Sequence, residues 1–143
     1  MGFPGAVMAQ LKILMADDEA EALAAMAKAL ARQDYNVITA ADGQEAWEKI
    51  KTEDPDIILL DLIMPKMHGL TILKKLRDEP LPDRCQPVVI VSALGELEDV
   101  QKGFAQKADH YITKPCTLET VLKAVRLMQE LIEKENLKKG RTL

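Results

Sequence analysis

The chain has 143 residues, 48% of them apolar, and its 19 Lys and Arg against 23 Asp and Glu leave a formal net charge of −4. That length and apolar share suit one domain with one core, and the acidic balance speaks against a nucleic-acid backbone or an anionic membrane surface as partner, since either calls for clustered basic residues. No apolar run approaches the ~20 residues of a spanning helix, and the first ten residues lack the basic start and apolar stretch of a signal peptide, so a cytoplasmic protein with no membrane partner is expected.

Residues 1–10, MGFPGAVMAQ, carry Gly, Pro and small side chains without periodicity and read as an N-terminal extension, with Met8 a candidate natural start. From there two apolar patterns take turns. LKILMAD at 11–17 is the first short run rich in branched residues and predicts a strand. A helix over about 19–32 follows, with Leu23, Met26, Ala27 and Leu30 on one face. YNVITA at 35–40 predicts the second strand, and 43–52 a helix in which Trp47 falls near Ala46 and Ile50 and serves packing. DIILLD at 56–61 and PVVIVS at 87–92 predict strands three and four, with a helix over 70–79 between them. Another helix over 96–107 leads to a fifth strand, HYIT at 110–113.

The last predicted helix, 118–136, runs without Pro or Gly, and its ~28 Å exceeds the ~17 to 20 Å of a typical strand. Its final turns are therefore expected to overhang the sheet. Leu118, Val121, Leu122 and Val125 would pack on the domain, while Leu127, Met128, Leu131 and Ile132 would add apolar surface beyond it. The 3-4 spacing of Val121, Val125, Met128 and Ile132 suits a short coiled coil with a second copy. Composition turns highly charged near residue 130, so the domain is placed at 11–129 and residues 130–143 are read as a helical extension or linker.

Strict alternation of strand and helix implies right-handed crossovers and a parallel sheet, with the near-continuous apolar third and fourth strands buried on both faces. The predicted fold is an α/β three-layer sandwich, (βα)5, with a five-stranded parallel sheet. By analogy with flavodoxin-like sheets the strand order is 2-1-3-4-5, which places a ligand site beyond the carboxyl ends of strands one and three. Asp17 and Asp18 end the first of those strands and Asp61 the third; Ser92 ends the fourth, and Lys114 follows the fifth.

Three carboxylates at one sheet edge repel, at about 4 kcal/mol per pair ~4 Å apart in an effective dielectric of ~20, and so require a cation. Hard oxygen ligands in small number suit Mg²⁺, which keeps several waters and favours sites shared with phosphate oxygens. A carboxylate can attack phosphorus to form an aspartyl phosphate while a metal, a lysine and a hydroxyl stabilise the transferring group, and Asp61, Mg²⁺, Lys114 and Ser92 make that set.

Four separated motifs, ADDE at 16–19, LLDLIMPKMHGL at 59–70, VSA at 91–93 and ADHYITKP at 108–115, agree in order and spacing with a known family. From about Leu11 to Met128 the chain resembles the receiver domains of bacterial two-component response regulators. The resemblance implies that Asp61 is the phosphoacceptor, Asp18 a direct Mg²⁺ ligand, Asp17 a ligand acting mainly through water, and Ile63 a ligand through its backbone carbonyl. Ser92 and Lys114 would bind phosphoryl oxygens, and Tyr111 would be the switch aromatic that turns inward as the hydroxyl residue moves. The donor would be a histidine kinase or a histidine phosphotransfer protein. Phosphorylation would remodel the face of the fourth helix, fifth strand and fifth helix, which controls an output domain or pairs two copies. Such a chain is a signalling phosphoacceptor that catalyses only its own phosphorylation and dephosphorylation. The resemblance also implies a cis Lys114-Pro115 bond. The family often has Asp before Gly69, Gly at Lys107 and Phe at Cys116, and here those positions depart.

Blander readings exist for each residue. Asp18 with Glu21 has the form of a capping box, which a metal role does not exclude. His68 and His110 lack companion ligands and read as surface loop residues. Cys85 and Cys116 lie far apart without metal or redox spacing and read as small buried side chains in a reducing compartment. A phosphohydrolase of the haloacid dehalogenase type would carry Asp where Ile63 stands, and a nucleotide-binding domain would need a glycine-rich turn where the chain reads ADDEAE. A receiver-like interaction module that acts without phosphorylation would lack an acid, the hydroxyl or the lysine, and all are present.

Overall fold

Every residue pair that the parallel ladders bring into register obeys a two-residue alternation, and that alternation divides the apolar side chains between two cores. The computed structural model describes residues 10–79 and 85–140; residues 1–9 of the N-terminal extension and 141–143 of the C-terminal one lie outside the described residues. Five strands, β1 (Lys12–Ala16), β2 (Asn36–Ala40), β3 (Ile57–Leu60), β4 (Val88–Ser92) and β5 (His110–Thr113), form one sheet in the order β2-β1-β3-β4-β5, all parallel. Five helices alternate with them: α1 (Ala20–Ala31), α2 (Gly43–Glu53), α3 (Gly69–Asp78), α4 (Leu97–Ala105) and α5 (Leu118–Lys138). The expected flavodoxin-like (βα)5 sandwich is the observed fold.

Ile13, Met15, Ile57, Leu59, Val89 and Val91 point to one face, where they meet Leu23 and Leu30 of α1 and Val121, Val125 and Met128 of α5. Their neighbours Leu14, Ala16, Ile58, Leu60, Val88 and Ile90 point to the other and meet Ala46 and Ile50 of α2 and Ile72, Leu73 and Leu76 of α3. Trp47 packs at the edge of this second core, with the Lys51 and Lys75 ammonium groups 5.4 and 5.7 Å from its ring centre. A fully buried Leu or Ile contributes roughly 1.5 to 3 kcal/mol relative to exposure, and Ile13, Leu14, Ile57, Ile58, Leu59 and Leu60 of β1 and β3 are all fully buried.

The caps follow local chemistry. At α2 the carboxylate of the N-cap, Asp42, accepts from the Glu45 amide at 2.8 Å, and the Glu45 carboxylate reaches back one residue beyond the cap to accept from the Ala41 amide at 2.9 Å, a variant of the capping box. The box expected from Asp18 and Glu21 does not form: the N-cap of α1 is Glu19, without a side-chain cap, and the Glu19 amide instead donates to Asp17 Oδ1 at 2.9 Å. His68 is exposed, as expected, but it also caps α3 by accepting from the Leu70 amide through Nδ1 at 3.1 Å. His110 is half-buried in β5 and is not a loop residue. Both cysteines are half-buried rather than buried, and both are free.

The expectation for α5 needs a larger correction. Its stripe of Val121, Val125, Met128 and Ile132 is buried against the domain's own core, so it is not available for a coiled coil with a second copy. The apolar face continues past the strands because Leu11, Tyr35 and Cys85 extend it, and the Tyr35 hydroxyl meets Gln129 Oε1 at 3.4 Å. The helix runs on to Lys138, and of the apolar residues expected to overhang only Leu127 is largely exposed, at 50%, while Leu131 is partly buried and Ile132 is 9% exposed. Ile132→Ala is expected to lower the unfolding free energy by about 2 to 4 kcal/mol, and Leu127→Ala by less than about 0.5 kcal/mol. Urea unfolding of the two variants checks the contrast.

Candidate functional site

Register delivers the site. Ala16 pairs with both Ala40 and Leu60, so the next residues, Asp17 and Asp61, leave the sheet side by side at its carboxyl edge. Ser92 pairs with Thr113, the last residue of β5, so Lys114 leaves the sheet at the same edge. The carboxylate oxygens of Asp17, Asp18 and Asp61 lie within 4.8 Å of one another. Asp17, Asp61 and Ser92 are 5%, 6% and 1% exposed, whereas Asp18 stands in solvent.

Lys114 reaches across from β5 and joins the cluster. Its Nζ lies 2.6 Å from Asp17 Oδ2, 3.1 Å from Asp61 Oδ2 and 3.6 Å from Glu19 Oε1. Burial works to lower the Lys114 pKa, but the hydrogen bonds and charges of Asp17 and Asp61 outweigh it and hold the ammonium well above lysine's ordinary value. The remaining oxygens are also occupied: Asp61 Oδ1 accepts from the Ile63 amide at 3.3 Å and Asp17 Oδ1 from the Glu19 amide. The Lys114-Pro115 bond is cis, as the resemblance implies, and the Lys114 amide donates to the Ser92 carbonyl at 2.8 Å.

Two glycines let backbone crowd the site. The Gly69 amide donates to the Leu62 carbonyl at 2.7 Å, and a Cβ at Gly69 would come within 2.2 Å of the Asp61 carbonyl oxygen. Gly43 approaches the same β3–α3 loop from α2, where a Cβ would lie 1.9 Å from the Met67 carbonyl oxygen. This second contact joins residues 24 positions apart, which only the fold brings together. Ile63, which the loop carries, is 53% exposed.

Ser92 Oγ accepts from the Leu94 amide at 3.3 Å, and the Leu94 carbonyl in turn accepts from the Tyr111 hydroxyl. The Tyr111 ring is half-buried and lies with Ile90 against Gly103 of α4, and burial pushes its phenol above the ordinary value. Beside Lys114, between α1 and α5, opens a cleft of about 400 Å³ whose lining includes Met15, Ala22, Met26, Cys116 and Val121. The reading of Cys116 as a plain core residue missed that it borders this opening.

This arrangement coincides with comparisons to known proteins. The family model described as the response regulator receiver domain matches residues 13–126. The chain belongs to that family. Among its relatives, the alkaline phosphatase synthesis transcriptional regulatory protein PhoP of Bacillus subtilis is 41% identical over 104 residues, which make up 73% of this chain and 42% of that protein. The transcriptional regulator RpaA of Synechocystis is 36% identical over 118 residues, 82% of this chain and 48% of that one. The chain thus spans about half the length of the curated relatives it matches. A solved receiver domain protein, described as CheY-like, from Methanospirillum hungatei superimposes with a TM-score of 0.80 at 28% identity, covering 88% of this chain and 98% of that one. Among the described residues, no helix is long and apolar enough to cross a membrane.

The receiver's acids sum to −3 and Lys114 to +1, which leaves room for a divalent cation held by hard oxygens. Lys114 occupies two of those acids and so competes with such a cation. Lys114→Gln is therefore expected to lower stability by about 1 to 3 kcal/mol without added metal, because it strands two buried charges. It should also tighten Mg²⁺ binding several-fold, so that millimolar Mg²⁺ restores much of the loss. Thermal melts with and without Mg²⁺ check both halves.

Proposed function

We propose that this receiver accepts a phosphoryl group on the carboxylate of Asp61 from the phosphohistidine of a histidine kinase or histidine phosphotransfer protein. The supporting observation is the convergence of Asp17, Asp18, Asp61, Ser92 and Lys114 at one edge of the sheet. As a carboxylate oxygen of Asp61 bonds to phosphorus, the phosphorus–nitrogen bond breaks and its electron pair stays with the donor imidazole. Asp17, Asp18, Asp61 and the Ile63 carbonyl are the groups suited to hold Mg²⁺, which when bound supplies positive charge to the phosphoryl oxygens. The Lys114 ammonium, already aimed between Asp17 and Asp61, neutralises charge on the same group. Ser92 offers a hydroxyl from the neighbouring strand end. The chain's catalytic part is limited to its own phosphorylation and dephosphorylation.

The cleft between α1 and α5 opens beside Asp17 and Lys114. On the far side, Leu97 and Phe104 of α4 and Leu127 of α5 are exposed apolar residues on the face expected to carry the output, toward a partner, a further domain or a second copy. Cytoplasmic location, and DNA binding by a segment other than this one, belong to the same reading. With every required group present, nothing favours a module that works without phosphorylation.

Acetyl phosphate with Mg²⁺ should label one hydroxylamine-sensitive aspartyl site, and Asp61→Asn should abolish the label. Equal labelling of that variant, read by intact mass, would defeat the assignment.

Ile63 and the half-buried Leu94 lie two residues after the acceptor and the hydroxyl, where they flank the approach of water. Both are apolar and hold no water in place for attack. Substituting Glu at 63 or Asn at 94 should change the phosphoryl half-life at least severalfold. Unchanged decay of the labelled protein in both variants would remove this role.

A further inference from the structure

The β3–α3 loop, residues 61–68, carries Ile63, yet much of what restrains it comes from outside the acidic centre. Its Pro65 carbonyl accepts from the Gly43 amide at 3.1 Å, and the Lys66 ammonium lies 3.3 Å from Asp42 Oδ2. Lys66 takes a left-handed conformation, φ 71°, which a lysine adopts at a cost. Met67 rests its backbone against Gly43 so closely that a Cβ there would meet the Met67 carbonyl oxygen at 1.9 Å, its carbonyl carbon at 2.6 Å and its Cβ at 2.7 Å. The first two are backbone atoms, so only movement of the loop or of α2 relieves the clash. Asp42 is itself immobilised, because its other oxygen caps α2.

We infer that Gly43, supported by Asp42, is a positioning element for the metal site: the amino end of α2 clamps the β3–α3 loop and preorganises the Ile63 carbonyl toward the cation. This inference rests on the proposed Mg²⁺ reading and deepens it. A carbonyl on an unrestrained loop must be ordered as the metal binds, and that ordering entropy is subtracted from affinity. A loop already fixed at Pro65 and Met67 avoids it. Neither Gly43 nor Asp42 belongs to the acid cluster, so the clamp acts through loop geometry.

The test is a Mg²⁺ titration of the full chain followed by the amide shifts of Asp18, Asp61 and Ile63, alongside thermal midpoints measured without metal. Gly43→Ala is expected to weaken Mg²⁺ at least fivefold. Ala46→Gly, a destabilising change on the same helix that leaves the loop contact intact, should lower the midpoint without weakening Mg²⁺ beyond twofold. Equal loss of affinity in the two variants would reduce Gly43 to a stability residue and overturn the inference. Lys66→Gly provides the second arm should Gly43→Ala not fold, since glycine accepts the left-handed conformation at this exposed position. Removing a cation near the site would by charge alone tighten Mg²⁺, whereas loosening the loop weakens it. Two- to threefold weaker binding supports the clamp, and tighter binding overturns it. Asp18→Ala separates the two levels: if it binds Mg²⁺ as the wild type does, the metal reading itself fails, whereas its failure to bind beside a normal Gly43→Ala defeats the clamp alone.

Discussion

Like charge forced together is the constraint on which the rest of this molecule depends. At an effective dielectric of about 20, two carboxylates 4.8 Å apart repel by roughly 3.5 kcal/mol, and here two of the three are withdrawn from water. A marginally stable domain tolerates this only with a cation at hand. Lys114 fills that need from β5, two strands away from Asp61. It can do so because the parallel register puts the ends of β1, β3, β4 and β5 along one edge. The same ion pairs that stabilise the metal-free protein sit where a divalent ion and a phosphoryl group would need room. A divalent ion entering this edge would have to draw Lys114 away from Asp17 or Asp61.

Holding charges at that edge demands stiff supports, and the two faces of the sheet provide them differently. On one, α1 and α5 bury long apolar stripes against β1, β3 and β4. On the other, α2 and α3 do the same, while their amino ends also touch the site: Gly69 lies against the Asp61 carbonyl and Gly43 against the loop beyond it. At both places a backbone contact replaces a side chain. Such contacts are rigid because close-packed atoms leave no slack, whereas a surface ion pair such as that of Lys66 and Asp42 adds little by itself.

Strands and helices were legible within one or two residues because the apolar runs and helical spacings are long and unambiguous. The acid cluster was equally legible, since residues that end strands in a parallel sheet share an edge. The errors have a common source in tertiary contact. Asp18 and Glu21 have the spacing of a capping box, yet the sharp exit from β1 gives the Glu19 amide to Asp17 instead. The α5 stripe has coiled-coil spacing, but one strip of apolar residues reads alike whether it faces a second copy or its own core. Leu11, Tyr35 and Cys85 decide the matter, and none of them lies near it in sequence. The Gly43 contact was hidden for the same reason: glycine before a helix is common, and only the fold brings Met67 onto it.

The helices also differ in how firmly they are held, and this bears on signalling. α5 buries six residues, whereas α4 buries only Gly103 and begins at Glu96 without a side-chain cap. Elements with few buried contacts open at the low end of the stability scale, so α4 is the one most easily displaced. Its surroundings connect it to the sheet edge beside Asp61: Ser92 holds the Leu94 amide, the Leu94 carbonyl holds the Tyr111 hydroxyl, and the Tyr111 ring lies against Gly103. A phosphoryl group that drew Ser92 toward Asp61 would break the first of these contacts and free Leu94. Tyr111 would then lose the position of its acceptor, and α4 the ring it rests on. A switch of this kind needs no strain transmitted through the sheet, because the weakly packed helix stands next to the hydroxyl that moves.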